Sequence, residues 1–129
     1  MPDAPIQIVL VGHCGPDSYA LRSAVGSMVP GAAVEFAADQ AALQRSLPTA
    51  RLLLINRTLD GEYDLQTGVE LIRQLKDAPQ PPRAALMLVS NFPEAQAEAL
   101  AAGAVPGFGK RDMYSPETKR RILDAIAGS

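Results

Sequence analysis

The fold is decided by the stretch from residue 86 to residue 110, LMLVSNFPEAQAEALAAGAVPGFGK. It opens on apolar residues, as does a strand that is buried on both faces of a parallel sheet. Pro93 suits the first turn of a helix, and Gly103 suits the left-handed position after its end. A shorter strand follows at 104–108, and Pro106 is tolerated there only at a sheet edge. The stretch therefore predicts a βαβ unit whose second strand lies at one edge of the sheet.

The same alternation extends to the rest of the chain. Apolar runs predict further strands at 6–11, 33–37 and 51–56, and the first strand of the βαβ unit begins at 84. Helical patterns follow each strand, with predicted N-caps at Asp17 or Ser18, at Asp39 and at Ser115. Five strands and five helices in strict alternation predict an α/β protein with one doubly wound parallel sheet and helices on both faces. We expect a single domain over 1–129 with no output domain attached.

Composition excludes several classes of protein. The chain has 129 residues, 47% of them hydrophobic, with a net charge of -2 and 5% aromatic residues. So small a charge does not recruit nucleic acid or an anionic membrane, and so few aromatic residues make no base-stacking platform. No apolar run is long enough to span a bilayer, and the start carries no targeting signal, so we expect a cytoplasmic protein. Cys14 is the single cysteine, which fits a reducing compartment.

Polar residues follow the predicted strands at their carboxyl ends. They are Gly12, His13 and Cys14 after the first strand, Asn56 and Arg57 after the third, Ser90 and Asn91 after the fourth, and Lys110 after the fifth. In sheets of this kind, functional residues gather at the carboxyl ends of the strands. We therefore expect these side chains to form the functional edge of the protein.

The order of elements, the polar stop at Asn56 and the run from Ser90 to Lys110 resemble the receiver domain of two-component response regulators over essentially the whole chain. The resemblance implies a flavodoxin-like (βα)5 fold and a place in signal transduction or a phosphorelay. In that family an Asp at the end of the third strand accepts a phosphoryl group from a histidine kinase, and the matching residue here is Asn56. Ser90 and Lys110 match a Ser or Thr and a Lys of the family pattern.

The departures from that pattern affect chemistry. An acidic pair binds magnesium in the family, and Gly12 and His13 stand in its place. An amide is a poor nucleophile and gives a metal no charge, so the sequence predicts a pseudo-receiver that is not an enzyme and holds no metal or cofactor. Lys110 is expected to find hydrogen-bond acceptors in Asn56 and Ser90. The switch aromatic of the family falls at Gly107, so coupling between pocket and surface should be weak.

The sequence favours a stand-alone module that acts by phosphorylation-independent protein-protein interaction. Its partner would be a histidine kinase or another regulator, bound by the surface of the fourth helix, fifth strand and fifth helix. A homodimer through the same surface is a second option. The alternative function is a ligand sensor with a small anion or metabolite in the vacated pocket, contacted by Lys110, Ser90, Cys14, Arg57 and Asn91. A thiol or redox role for Cys14 is a weaker third hypothesis, since the thiol has no resolving partner.

Three smaller features remain open or carry expectations of their own. The segment Arg57–Thr67 is either a solvated insertion with Asp-Gly turn chemistry or a functional element, namely a lid over the vacant pocket or a contact surface, with Arg57 or Tyr63 as anchors. Phe92 and Phe108 are expected in a satellite core. A metal site drawn from acidic residues near the His13-Cys14 pair is conceivable, although the candidates follow no ligand spacing. They are His13, Cys14, Asp17, Asp60 and Asp64.

Overall fold

The computed structural model describes residues 5–128, which form one five-stranded parallel sheet with helices on both faces. The strands are β1 (Gln7–Val11), β2 (Ala33–Ala37), β3 (Leu52–Asn56), β4 (Ala85–Val89) and β5 (Val105–Phe108). Their order across the sheet is β2-β1-β3-β4-β5, with every neighbouring pair parallel. This is the flavodoxin-like doubly wound order, in which the carboxyl ends of β1 and β3 flank the switch in strand order. The predicted fold class is confirmed.

The helices divide between the two faces of the sheet. They are α1 (Gly15–Met28), α2 (Gln40–Ser46), α3 (Gly68–Asp77), α4 (Pro93–Ala101) and α5 (Pro116–Gly128), with a 3₁₀ turn at Lys110–Asp112. Helices α2, α3 and α4 bury apolar residues against one face, and α1 and α5 bury theirs against the other. Because successive strand residues point to opposite faces, strands covered on both faces must be apolar throughout. That requirement explains why β1, β3 and β4 read as continuous apolar runs.

Two predicted helix caps and the edge position of β5 are confirmed. The side chain of Asp39 accepts a hydrogen bond from the backbone N–H of Ala42, and that of Ser115 accepts one from Thr118. Gly103 takes a left-handed φ of 110° after α4. The exposed Pro106 lies on β5, an edge strand. Within residues 5–128, no helix is long and apolar enough to cross a bilayer.

The predicted start of α1 is wrong. The helix begins at Gly15 with Cys14 at its N-cap, and Pro16 occupies the first turn, where its lack of an N–H costs nothing. Asp17 therefore lies inside the first turn, and neither Asp17 nor Ser18 caps the helix. The carboxylate of Asp17 is left free to contact another element, which decides the electrostatics of the site.

Candidate functional site

The Asn56 side chain joins three elements at the carboxyl edge of the sheet. Its Nδ2 donates to the backbone carbonyls of Gly12, at 3.0 Å, and Thr58, at 2.7 Å. Its Oδ1 accepts from Lys110 Nζ at 3.3 Å. Since carbonyls only accept hydrogen bonds, the group that faces them must be a donor. The site therefore calls for an amide, because a carboxylate would set an anionic oxygen against two carbonyl oxygens.

Lys110 has a carboxylate partner that the sequence did not indicate. Its Nζ lies 2.7 Å from Asp17 Oδ2, across an ion pair whose side chains are 26% and 40% exposed. The hydrogen bond from Lys110 holds the pKa of Asp17 below its usual value. At this exposure the pair contributes at most about 1 kcal/mol to stability. It nevertheless satisfies the ammonium, which was expected to lack a carboxylate.

The expectation for Ser90 is also corrected. Its Oγ accepts a hydrogen bond from the backbone N–H of Phe92 at 3.1 Å and stabilises the turn after β4. Of the two acceptors predicted for Lys110, only Asn56 takes that role among the described residues. Asn91 has a comparable structural task, since its Oδ1 accepts from the backbone N–H of Arg111 at 3.2 Å.

His13 is held neutral beside this cluster. Its Nε2 lies 2.9 Å from the carbonyl oxygen of Leu54, so Nε2 carries the proton and donates it. Burial lowers the pKa of His13 from 6.5 to about 4, and the positive charge of Lys110 acts in the same direction. Its Nδ1 is buried and has no hydrogen-bond partner in the part of the chain that the structure describes. At neutral pH His13 is thus a neutral donor that fastens the end of β1 to β3.

This arrangement predicts a pH dependence of stability. The pKa of His13 is about 4 in the folded protein and 6.5 in the unfolded chain, so the unfolded chain binds the proton more readily. Stability therefore falls as the pH drops from above 6.5 towards 4. Between about pH 7 and pH 5 we expect the free energy of unfolding to fall by about 2 kcal/mol through His13. Urea unfolding at both pH values measures it, and most of the difference should vanish in His13→Gln; an equal slope in that variant would contradict the assignment.

Cys14 and the acidic residues do not assemble into a metal centre. Cys14 is a half-buried free thiol at the N-cap of α1, and its side chain contributes to lowering the pKa of Asp17. Over residues 5–128, no group of three or more His, Cys, Asp or Glu side chains is placed to hold a metal ion. The conceivable set around His13 and Cys14 is not brought together as ligands.

The segment Arg57–Thr67, called the lid below, folds over the ends of β1 and β2. The Tyr63 hydroxyl accepts from the backbone N–H of Gly12 at 3.0 Å and donates to the carbonyl of Ala37. The backbone N–H of Asp60 donates to the carbonyl of Gly12 at 2.9 Å. Burial raises the pKa of Tyr63 to about 12, so the hydroxyl keeps its proton. Tyr63, one of the two anchors that the sequence offered, thus holds the segment in place. Most of the other residues of the segment are exposed, as the solvated-loop interpretation predicts, and a function for the segment stays a prediction.

The lid also packs Leu59 against the position after β1. Leu59 is buried, and a side chain added at Gly12 would place its Cβ 2.7 Å from Leu59 Cδ2 and 3.0 Å from Leu59 Cα. Gly12 has a φ of 77°, a conformation that side chains rarely adopt. The place predicted to be vacated by an acidic pair is therefore filled by the protein's own lid.

A small cavity remains between β3, β4 and the 3₁₀ turn. It has a volume of about 140 Å³ and is lined by Asn56, Arg57, Val89, Ser90, Asn91, Phe92 and Lys110. The guanidinium carbon of Arg57 lies 4.6 Å from the centre of the Phe92 ring. Phe92 is 50% exposed, so its predicted place in a satellite core is wrong, whereas Phe108 is buried. The ring of Phe92 instead makes a cation–π contact with Arg57 at the rim of the cavity.

Gly107 and Gln96 fasten α4 to the sheet. A Cβ at Gly107 would lie 2.1 Å from the carbonyl oxygen of Leu88 and 2.8 Å from Gln96 Oε1. Gln96 Nε2 donates to the carbonyls of Leu88, Ser90 and Phe108 at 3.0, 3.1 and 3.3 Å. The sequence did not single out Gln96; its only signal was a polar side chain in a helix otherwise rich in alanine. At Gly107, where the resemblance would place the family's switch aromatic, the space for a side chain is taken by the Leu88 backbone and by this amide.

Comparison with solved structures identifies the fold. The signal receiver domain of a DNA-binding response regulator from Colwellia psychrerythraea is 14% identical with a TM-score of 0.74, over 95% of this chain and 98% of that one. A putative response regulator from Chloroflexus aurantiacus is 18% identical with a TM-score of 0.75, over 96% and 99%. The chemotaxis response regulator CheY4 of Vibrio cholerae is 20% identical with a TM-score of 0.68, over 95% and 99%. Neither a family model nor a curated protein sequence matches this chain. At these identities the similarity concerns the fold, which is that of receiver domains.

Proposed function

We propose that this protein is a signalling module that works through protein contact and accepts no phosphoryl group. The observation that carries the proposal is the Asn56 side chain, whose amide donates to two backbone carbonyls at the end of β3. Its nitrogen lone pair is delocalised into the amide and its protons are committed, so Asn56 offers no nucleophile to a phosphoryl donor. The residue at the would-be acceptor position thus has a structural role.

The surroundings of Asn56 support the same conclusion. A phosphoryl acceptor needs concentrated negative charge to hold a divalent cation, and the residues after β1 are Gly12 and the neutral His13. The carboxylate of Asp17, which lies beside the site on α1, is already paired with Lys110 at 2.7 Å. The lid covers the position after β1 with Leu59. The amide of Asn56 and the charge of Lys110 thus both find partners within the chain itself, so these contacts form without a phosphoryl group or a metal.

The surface for a partner is the one formed by α4, β5 and α5. Leu100 on α4 and Leu123 on α5 are exposed large hydrophobic side chains, and the exposed Tyr114 lies two residues before α5. Arg120 and Arg121 are paired with Glu117 at 3.2 and 3.5 Å, and a cavity of about 390 Å³ opens between the starts of α4 and α5. Tyr and Arg are among the residue types that protein interfaces favour, which fits a protein partner such as a histidine kinase or another regulator. The alternative is that a second copy of this chain binds the same surface and forms a homodimer.

Incubation with a small phosphodonor and magnesium tests the proposal. We expect intact-mass measurement to find no phosphoryl adduct on the wild-type chain or on Asn56→Asp, because the variant still lacks carboxylates at Gly12 and His13 to hold the metal. A receiver domain with a complete acidic set, treated in the same tube, is the positive control. A stoichiometric adduct on the wild-type chain would end the proposal; one on Asn56→Asp alone would show that only the nucleophile had been lost.

A ligand-sensing role is the second candidate, and Arg57 favours it. Within residues 5–128 no carboxylate pairs with Arg57, which lines the cavity of about 140 Å³ together with Lys110. A small anion such as inorganic phosphate would fit the volume and the charge. If this is the function, phosphate raises the melting temperature of the wild-type protein and has no effect on Arg57→Ala or Lys110→Ala.

A further inference from the structure

The free edge of β2 lies at the opposite side of the sheet from β5. Strand β2 pairs only with β1 in the described chain. The backbone N–H of Ala33 donates to the carbonyl of Ile6 at 2.8 Å, so Ala33 and every second residue after it turn their backbone groups towards β1. The N–H and C=O groups of Val34 and Phe36 therefore point away from the sheet. An edge of this kind is a template for another strand.

Exposed aromatic side chains and an unpaired cation flank this edge. Tyr19 on α1 is 67% exposed and Phe36 is 41% exposed, with ring centres 5.8 Å apart at an angle of 82°. The guanidinium carbon of Arg22 lies 5.6 Å from the centre of the Phe36 ring. Across residues 5–128 no carboxylate forms an ion pair with Arg22. Large aromatic side chains beside an unpaired Arg are the composition of a protein-binding surface.

A groove runs beside the same edge. Its volume is about 300 Å³, and small residues form most of its wall: Gly26, Ala32, Ala33 and Val34, with Arg22 and Glu35 as the charged members. Arg22 belongs to α1, on one face of the sheet, with Phe36 beneath it. Glu35 alternates with Val34 and Phe36 along the strand and so points to the other face. The two charges of the edge are thus presented on opposite faces.

We infer that the β2 edge binds an extended segment of a partner protein, which pairs with Val34 and Phe36 as a sixth strand. The segment alternates in character: towards α1 it carries an acidic residue for Arg22 and a small apolar residue for the groove, and towards α2 a basic residue for Glu35. A second copy of this chain suits the edge less well, because symmetric antiparallel pairing centred on Glu35 would set the two carboxylates opposite each other, and no register of two copies places an acidic residue of β2 itself beside Arg22 on the α1 face. The inference rests on the proposed function only in that both partners are proteins.

A library of random dodecapeptides displayed on phage, selected against the full chain, provides the probe. We expect the selected peptides to alternate acidic or apolar with basic residues and to protect the backbone amide protons of Val34 and Phe36 from exchange. Phe36→Pro should weaken them by at least about tenfold, because it removes an outward N–H without breaking a bond to β1. Phe36→Ala, which keeps the N–H, should weaken them less. When the selection is repeated against Arg22→Glu, the peptides should no longer carry the acidic residue. This result tests the inference even if Phe36→Pro does not fold.

Peptides that protect amides elsewhere, or a selection that yields no binder, would overturn the inference. Binders indifferent to both Phe36→Pro and Arg22→Glu would do the same. These outcomes are separate from the outcome for the proposed function, since the phosphodonor experiment tests chemistry at Asn56 on β3 and not pairing along the edge of β2. A phosphoryl adduct would overturn the proposed function and say nothing against peptide binding at the β2 edge. Failure to find a peptide for that edge would overturn this inference and say nothing about the chemistry of Asn56.

Discussion

Gly107→Ala is expected to lower the free energy of unfolding by about 3 kcal/mol and the melting temperature by about 10 °C. The added Cβ would lie 2.1 Å from the carbonyl oxygen of Leu88, which is backbone and cannot turn aside. Relief requires β5 to move away from β4, and that motion strains the bonds from Gln96 to the carbonyls of both strands. Urea unfolding followed by far-ultraviolet circular dichroism measures the loss.

Gly26→Ala is the matched control for this variant. Gly26 lies inside α1, and a Cβ added there meets nothing within 4 Å. Since Gly is a poor helix former, Gly26→Ala should raise stability by about 0.5–1 kcal/mol. If Gly107→Ala proved as stable as Gly26→Ala, the close approach of β5 to Leu88 would not hold the α4–β5–α5 surface in place. The proposed module would then have a mobile surface rather than a fixed one.

The sequence predicted those features that depend on local pattern. The strands were readable because burial on two faces forces apolar residues at every position, as in β3. Gly103 and Ser115 were readable because the left-handed turn and the N-cap each favour few residue types. Asn56 and Lys110 were placed at the edge by the lengths of the strands alone, and they do meet, at 3.3 Å.

The sequence could not supply the contacts that complete the site. Lys110 and Asp17 pair across 93 residues of chain, and the pairing depends on α1 starting at Gly15 rather than at a cap on Asp17. Tyr63 reaches back 51 residues to Gly12, from a segment whose turn chemistry suited a solvated loop equally well. Such contacts depend on how elements pack together, which helical and strand periodicity do not record. They also support the proposed function, because they cover the position after β1 and pair the charge of Lys110 at an edge that residue types alone left looking vacant.

Introducing an acidic residue after β1 is expected to destabilise the protein instead of creating a metal site. Gly12→Asp places a side chain at a φ of 77° and presses its Cβ against Leu59, and together these should cost about 2–4 kcal/mol. Gly31→Asp is the matched control, since Gly31 has a φ of 84° and nothing within 4 Å of an added Cβ. It should cost only the conformational part, about 1 kcal/mol.

The difference between Gly12→Asp and Gly31→Asp, measured by urea unfolding, reports how firmly the lid occupies the position after β1. It should shrink when Leu59→Ala is added to Gly12→Asp, because the nearest clash is with Leu59 Cδ2 at 2.7 Å. Equal costs for the two aspartates would mean that the lid yields freely and that a carboxylate fits there, against the proposal. A large difference would mean that the lid and the acidic pair exclude each other. On the proposed function, point substitutions would then not be enough to give this chain a metal site, because the Arg57–Thr67 segment covers the position after β1 with Leu59.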